Sequence, residues 1–306
     1  MRISPFSQHV GSLVKASENA PLEQLPLAEV QDALKRTGAV FFQGFGADVA
    51  AFEKFTNAFS DDYMDNTGSG SYRATVDKAN DGTIQNVAYN YGVKTQRTFG
   101  LPLHADRSYV KSQPEIIWFL CARPAVEKGL TFVCDGVRIY EELSPSTRSV
   151  FETKRLKYIR NYPQEEWQVA FRTKDIEEVR AYCAENDLEL DARADGAIST
   201  AYYKPAIVGR TRFGSAKAFV NSILIQHWQE KSLGRRNALV RLEDDSQIPD
   251  DVLDDVKAVS AKLTENLPWT SGDFVMVDNT RLMHGREEFA DPNREVYVRM
   301  CRRVTW

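Results

Sequence analysis

The chain has 306 residues, of which 42% are hydrophobic and 27% are charged, and its formal net charge is −4. This length can bury a substantial core, and the acidic balance disfavours a nucleic-acid binder, which normally presents a basic face. No apolar run approaches the roughly 18–20 residues that cross a bilayer, and four cysteines without a CxxC spacing favour free thiols in a reducing compartment, so we expect a cytoplasmic protein.

The first hundred residues predict two helices around one buried strand, followed by loops. Residues 22–38 have apolar side chains at helical spacing and end on Gly38, a residue typical of helix ends. Residues 39–45 form a short apolar run typical of a buried strand, and residues 48–59 again have the helical period. Residues 60–100 are rich in Asp, Asn, Gly, Ser and Thr and predict loops with short strands, which often carry function.

Beyond residue 100 predicted strands alternate with predicted helices. Dense β-branched and aromatic patterns predict strands at residues 114–125, from 129, and at 217–228, 272–285 and 295–306. Helical periodicity covers residues 137–153 and 244–267, the second with a proline near its first turn. Many short strands with a few helices predict an α+β protein built around a double-sheet jelly roll, although periodicity alone leaves an α/β sheet open.

Residues 151–215 are mixed in pattern and highly charged. No linker rich in Pro, Gly or Ser brackets them, so they indicate an insertion rather than a second domain. We therefore expect a single domain over residues 1–306, with flanking helices and an insertion at about 151–215.

Histidine is scarce, with four in the chain, and two of these stand in local motifs. In the segment LPLHADRSY, His104 and Asp106 are two residues apart, and side chains at this spacing share a face if the segment is a strand. An HxD pair occurs by chance in many proteins, so a third ligand is needed, and His284 in LMHGREEF is the candidate. Two histidines and one carboxylate form the facial triad of non-haem iron(II) oxygenases, which leaves coordination positions open.

The sequence resembles the taurine dioxygenase (TauD/TfdA-like) family. The matching segments are GAVFFQGFG, LPLHADRSY, EKGLTFVCDGVRIYEELSP, GDFVMVDNTRLMHGREEF and the terminal arginine-containing strand, and together they cover most of the chain apart from 151–215. The motif DN-x-R-x-x-HGR-x-x-F resembles the clavaminate synthase and γ-butyrobetaine hydroxylase branch. The resemblance implies a distorted double-stranded β-helix, iron(II) bound by His104, Asp106 and His284, and 2-oxoglutarate and O₂ as cosubstrates. It also implies that the insertion at about 151–215 is a lid, because relatives have lids there.

The resemblance also implies a cosubstrate site. An arginine after the second histidine pairs with the distal carboxylate of 2-oxoglutarate, which is too costly to bury unpaired. Arg294 and Arg299 are the candidates, and we favour Arg299 because Arg299 and Arg303 match the family pattern R-x-x-x-R-V. Thr131 stands where the family has a threonine that hydrogen-bonds the same carboxylate.

In this family, decarboxylation of 2-oxoglutarate to succinate is coupled to oxidation of a substrate C–H bond. Asp106 argues for oxygenation, desaturation or ring formation, because related halogenases lack this carboxylate. We expect hydroxylation of a small polar acid, either an amino acid or a natural-product intermediate, with Arg303, Arg107 and Asn90 as substrate-binding candidates. A sugar acid or a carrier-bound substrate stays open.

Two further expectations concern partners and the competing class. We expect a small-molecule substrate and neither a nucleic-acid nor a membrane partner, while a homo-oligomer stays open. A non-oxidative metal-dependent hydrolase could use the same two histidines and aspartate, but it would have no need for Thr131 and Arg299.

Overall fold

The structure is a computed structural model that describes residues 3–17, 21–64, 82–87, 98–234 and 236–306. Its helices are α1 (Leu27–Thr37), α2 (Val49–Asn57), α3 (Gly136–Glu142), α4 (Pro145–Thr153), α5 (Gln164–Ala170), α6 (Ile176–Glu185), α7 (Ile223–Leu233) and α8 (Asp250–Leu263). Its strands are β1 (Ile3–Pro5), β2 (Ser12–Lys15), β3 (Ala39–Gln43), β4 (Tyr63–Met64), β5 (Gln85–Asn86), β6 (Leu101–His104), β7 (Ile116–Arg123), β8 (Thr131–Asp135), β9 (Arg155–Tyr162), β10 (Leu188–Ala192), β11 (Ile198–Pro205), β12 (Ile207–Val208), β13 (Ala218–Phe219), β14 (Ala238–Leu242), β15 (Glu265–Asn266), β16 (Asp273–Asp278), β17 (Leu282–Arg286) and β18 (Glu295–Cys301).

Two sheets build the centre of the molecule. The major sheet has eight strands in the order β1-β2-β3-β16-β7-β18-β4, with β5 also paired to β18. The minor sheet has four strands in the order β15-β8-β17-β6. Apart from the parallel pair β2–β3, the strand pairs of both sheets are antiparallel. This α+β architecture agrees with the predicted mixture of short strands and few helices.

The space between the two sheets is filled by apolar side chains. Phe119 and Val298 of the major sheet pack in one core with Val133 and Leu282 of the minor sheet. The opposite face of the major sheet carries a separate core, in which Trp118 packs with side chains of α1 and α2. Because side chains alternate along a strand, neighbouring residues of β7 and β18 belong to different cores.

A third sheet of four strands, in the order β10-β11-β9-β14, lies between residues 155 and 242. Its residues Tyr158 and Val240 pack in one core with Leu103 and Met283 of the minor sheet. The sheet includes β14, so this substructure extends past the expected boundary at residue 215.

Most predicted elements have a visible local cause. Gly38 ends α1 with a left-handed φ of 75°, which glycine adopts without steric cost. The Asp48 side chain accepts a hydrogen bond from the Ala51 N–H and begins α2. The predicted helix 137–153 is divided into α3 and α4, because Ser144 caps a new helix whose first residue is Pro145.

Two predicted strands were wrong in extent or type. Residues 217–228 contain only the short β13, after which the Asn221 Oδ1 accepts a hydrogen bond from the Ile223 N–H and α7 begins. The predicted strand 272–285 is two strands, β16 and β17. The Asp278 carboxylate accepts hydrogen bonds from the N–H and Oγ1 of Thr280, which fixes a turn between them.

Candidate metal centre

Two neighbouring strands of the minor sheet position the two motif histidines. His104 is the last residue of β6 and pairs directly with His284 of β17 in the antiparallel register. Directly opposite residues share a face of the sheet, and the centroids of the two imidazole rings are 4.6 Å apart. Residues 180 positions apart in sequence therefore meet because of one strand pairing.

Asp106 completes the cluster from beyond the end of β6. Its carboxylate oxygens lie 3.6 Å from Nε2 of His104 and 3.9 Å from Nε2 of His284. One ligand atom from each of the three buried residues lies within 4.8 Å of the others. The expected proximity of His104 and Asp106 is found, although a turn after the strand rather than strand alternation produces it.

The three side chains fit a divalent metal ion. Nδ1 of His104 lies 2.8 Å from the Pro102 carbonyl oxygen, which leaves Nε2 directed at the cluster. Nitrogen and oxygen ligands stand about 2.1 Å from such an ion, so two of them can lie up to about 4.2 Å apart. The separations of 3.6 Å from Oδ1 of Asp106 to His104 and of 3.9 Å from Oδ2 of Asp106 to His284 fall within this limit and exceed hydrogen-bond length. The donor set of two imidazoles and one carboxylate suits iron(II).

The side chains of His104, Asp106 and His284, together called the metal cluster, face the apolar space between the two sheets. The ring of Phe119 lies 5.0 Å from the His284 ring, and Val133 pairs directly with His284. Thr131 lies two residues before Val133 and therefore points to the same face of β8. Thr131, which is 5% exposed, thus lines the side of the minor sheet on which the metal cluster stands.

The expected place of Arg299 in the cosubstrate pocket is contradicted by the strand register. Arg299 pairs with Trp118, whereas its neighbour Val298 pairs with Phe119, which contacts His284. Arg299 therefore points to the helix side of the major sheet, away from the metal cluster.

The contacts of Arg299 agree with this placement. Its guanidinium donates hydrogen bonds to Oγ1 of Thr83, Oγ1 of Thr56 and the Glu53 carbonyl, and it lies over the Tyr63 ring. The spacing from the second histidine could not reveal this, because a shift of one residue moves a side chain to the other face of the sheet.

Arg294 has the environment that was expected for Arg299. It is 1% exposed, its Nε donates to the Gly129 carbonyl at 2.9 Å, and Gly129 is two residues before Thr131. Among the residues that the structure describes, neither Nη1 nor Nη2 of Arg294 has a hydrogen-bond partner. Burial lowers the pKa of Arg294 to about 10, partly offset by the nearby Cys121 thiol. A buried guanidinium with two unused donors fits a carboxylate of a bound ligand.

The substrate-binding candidates have different outcomes. Arg107 is buried directly after Asp106, with a left-handed φ of 59°, and its Nε donates to the Ser112 carbonyl. Arg303 is exposed beyond the end of β18, so the structure gives its expected role in substrate binding no support. Asn90 lies outside the described residues.

Sequence reasoning missed one arginine at the site. Arg286 of the HGR motif is 4% exposed and pairs with Thr131 in the strand register, so both point to the metal side of the minor sheet. Its guanidinium lies 4.8 Å from the centroid of the Phe289 ring, and that of Arg294 lies 4.9 Å from the same ring. The motif HGR-x-x-F could have identified this arginine, because it contains both Arg286 and Phe289.

Comparison with known proteins identifies the family. A model of the taurine catabolism dioxygenase TauD, TfdA family matches residues 2–303, so the chain belongs to this family. The enzyme is an iron(II)- and 2-oxoglutarate-dependent dioxygenase, and O₂ is its oxidant. Within the described ranges, no helix combines the length and apolar character needed to cross a membrane.

Individual relatives are distant but cover nearly the whole chain. The dapdiamide synthesis protein DdaC of Enterobacter agglomerans is 24% identical in an alignment 310 positions long, which covers 92% of this chain and 88% of DdaC. The structure of PvcB from Pseudomonas aeruginosa covers 98% of this chain and 90% of its own, with a TM-score of 0.60 and 14% identity. A second PvcB structure, of an Fe, alpha-ketoglutarate dependent oxygenase from an isonitrile synthetic pathway, has a TM-score of 0.58.

A third likeness is to AAD-2 in complex with Mn(II) and N-oxalylglycine. It covers 100% of this chain and 98% of that protein, with a TM-score of 0.60 and 14% identity. This likeness shows that the two proteins share a fold.

Proposed function

We propose that this dioxygenase hydroxylates a C–H bond of a small polar acid, an amino acid or a natural-product intermediate, with iron(II) held by His104, Asp106 and His284. The observation that carries the proposal is the buried convergence of these three side chains between the two sheets. Two imidazoles and one carboxylate are the donor set of non-haem iron(II) oxygenases and would leave the metal accessible to 2-oxoglutarate and O₂.

For the cosubstrate we propose Arg294 and Thr131, with Arg294 in the role expected of Arg299. The two unused Nη donors of Arg294 support this assignment, because they match the two oxygens of a carboxylate. The Thr131 hydroxyl lies on the same face of the sheet as His284 and can donate a further hydrogen bond.

Iron with 2-oxoglutarate and O₂ supplies the oxidising chemistry, coupled to decarboxylation to succinate. The chain itself supplies binding, orientation and the exclusion of water. Asp106 contributes the negative charge that helps to hold a divalent cation among neutral imidazoles. Phe119 and Val133 line the metal side with apolar surface, which keeps competing water from the reacting atoms.

For the acidic group of the substrate we propose Arg107, because it is buried directly beside a metal ligand. The names of the relatives DdaC and PvcB refer to biosynthetic pathways, which supports a natural-product intermediate as the substrate. Desaturation or ring formation, or a sugar-acid or carrier-bound substrate, would use the same cofactor site. Family membership disfavours the hydrolase alternative.

We further propose that the two facing sheets are a distorted double-stranded β-helix within a single cytoplasmic domain of residues 1–306. Residues 151–215 would form a lid over the substrate. The packing of the third sheet against the outer side of the minor sheet supports an insertion into that domain.

A panel of amino acids and other small carboxylic acids tests the proposed reaction. With iron(II), 2-oxoglutarate and O₂, the correct substrate should stimulate succinate release and gain one oxygen atom, as measured by mass spectrometry. Loss of two hydrogen atoms instead would identify desaturation or ring formation. Stimulation by neutral analogues as strong as by their acids would contradict the assignment of an acidic substrate.

A further inference from the structure

Asn279 lies in the turn between β16 and β17, five residues before His284, and it is 1% exposed. A buried side-chain amide must satisfy one acceptor and two donor groups, so its partners indicate what it holds in place. The Oδ1 of Asn279 accepts a hydrogen bond from the Asp106 N–H at 2.9 Å. Its Nδ2 donates to the Asp106 carbonyl and to the Pro114 carbonyl, each at 3.0 Å.

One planar amide therefore binds both the N–H and the C=O of Asp106. This backbone lies beyond the end of β6, where the strand ladder no longer fixes it. The next residue, Arg107, has a left-handed φ of 59°, which is strained for a residue with a Cβ and must be imposed by its surroundings. The chain direction at the carboxylate ligand thus depends on contacts from outside the loop.

The preceding residue is held from another direction. The Ala105 N–H donates to the Asn221 carbonyl, and its carbonyl accepts from Oγ of Ser222. The hydrogen bonds to Asp106 come from the turn that leads into the strand of His284. Asn279 therefore connects the loop of one metal ligand to the strand of another.

We propose that Asn279 is a positioning residue of the metal centre, which sets the direction of the Asp106 carboxylate by clamping its backbone. This inference rests on the proposed metal site. Only glutamine carries the same planar amide, and its side chain is one methylene longer, which would displace the acceptor and the donors from Asp106. Aspartate lacks the donors and leucine lacks both kinds of group.

The test measures Mn²⁺ affinity without any turnover, by titrating the metal-free protein and following free Mn²⁺ by electron paramagnetic resonance. Loss of an outer partner of a metal ligand typically weakens metal binding by about 10–100-fold, and we expect this loss for Asn279→Ala. The anaerobic absorption band of the protein with iron(II) and 2-oxoglutarate should also weaken or shift, which a general loss of stability would not produce in folded protein.

Thr56→Ala is the matched control. The Thr56 side chain is also buried and makes two hydrogen bonds, to the Glu53 carbonyl and from the Arg299 guanidinium, on the helix side of the major sheet. It should lose thermal stability like Asn279→Ala, while its Mn²⁺ affinity stays within about threefold of wild type. If Asn279→Ala does not fold, Asn279→Ser, which keeps a smaller polar group, takes its place and should show the same direction of change.

The possible outcomes separate the two claims. Wild-type protein that binds Mn²⁺, together with equal affinity in the Asn279 variant, would overturn the positioning role alone. Equal weakening in the Thr56 and Asn279 variants would overturn it as well, since the effect would then be general. Wild-type protein that binds no Mn²⁺ would overturn both the metal site and this inference.

Discussion

At the scale of single residues, Arg294 and Arg299 differ in how their N–H groups are used. Arg299 donates hydrogen bonds to Thr56, Thr83 and the Glu53 carbonyl on the helix side of the major sheet. Arg294 has two terminal nitrogens without a partner in the described part of the chain. A buried cation in this state is favourable only when an anion binds beside it.

Replacing Arg294 should therefore weaken 2-oxoglutarate binding. Arg294→Met removes a bidentate, charge-assisted contact of about 3 kcal/mol, so the KM for 2-oxoglutarate should rise on the order of 100-fold. The measurement is succinate release at varied 2-oxoglutarate. Arg299→Met is the matched control, which should lower the melting temperature and leave this KM nearly unchanged. A large rise of this KM in Arg299→Met, with no rise in Arg294→Met, would instead assign the cosubstrate carboxylate to Arg299.

Lys204 provides a prediction about pH. Its Nζ donates to Oε1 of Gln113 at 2.7 Å, and burial lowers the pKa of Lys204 to about 8. Below pH 8 the folded protein holds a desolvated ammonium, which costs stability. From pH 8 to about 10.5 the folded state releases this proton before the unfolded state does, so the cost disappears as pH rises.

The variant Lys204→Met should accordingly be more stable than wild type at pH 7, by about 1–2 kcal/mol, and the difference should shrink by pH 10. Chemical denaturation at the two pH values measures it. Lys157 on β9 is paired with Asp245, and its pKa is raised, so Lys157→Met should show no such gain. If the free energy of unfolding of Lys204→Met exceeds that of wild type equally at both pH values, the charge of Lys204 is not the cause of the difference.

At the scale of elements, β17 must approach both of its neighbours closely to bring the histidines together. A Cβ at Gly285 would contact the Phe132 ring of β8, and it would stand 2.5 Å from the Leu101 carbonyl oxygen of β6. The glycine of the HGR motif thus permits the strand spacing that places His284 opposite His104.

Gly285→Ala should push β17 away from β6. Overpacking of this kind costs about 1–3 kcal/mol, and the altered strand spacing should also weaken Mn²⁺ binding. Thermal denaturation and metal titration measure the two effects. A Cβ at Gly209 would meet nothing within 4 Å, so Gly209→Ala is the control and should change neither quantity. Wild-type behaviour of Gly285→Ala would show that this spacing is not required.

Sequence patterns predicted whether a segment is a helix or a strand better than they predicted which face of a sheet a side chain occupies. The helix that ends at Gly38 and the strand that begins at Ala39 were confirmed, because their signals are local. Arg299 was preferred to Arg294 because of the pattern R-x-x-x-R-V, and such a pattern does not specify which face of the sheet a side chain occupies. The run 217–228 was predicted as a strand because its apolar residues suit both periods, and the Asn221 turn decides for a helix.

At the scale of the whole molecule, the pairing of distant segments decides the site. The residue types of the metal cluster and the α+β class could be predicted from motifs and composition. The positions of Asn279 and Arg294 could not, since they depend on contacts across 173 and 165 residues of sequence. Such contacts follow from how the sheets close, which no local pattern specifies.

The third sheet reaches the metal loop through one buried chain of hydrogen bonds. The Ser222 N–H donates to the Tyr158 hydroxyl of β9, and Oγ of Ser222 donates to the Ala105 carbonyl between the two ligands. The residues expected to form the lid are thereby connected to the segment that carries His104 and Asp106.

The central claim is that His104, Asp106 and His284 hold iron(II) that accepts 2-oxoglutarate. The most direct measurement is the visible absorption spectrum after anaerobic addition of iron(II) and 2-oxoglutarate to the purified protein. We expect a weak charge-transfer band that wild type shows and His284→Ala lacks. A silent wild-type spectrum, or a band that persists unchanged in His284→Ala, would contradict the claim.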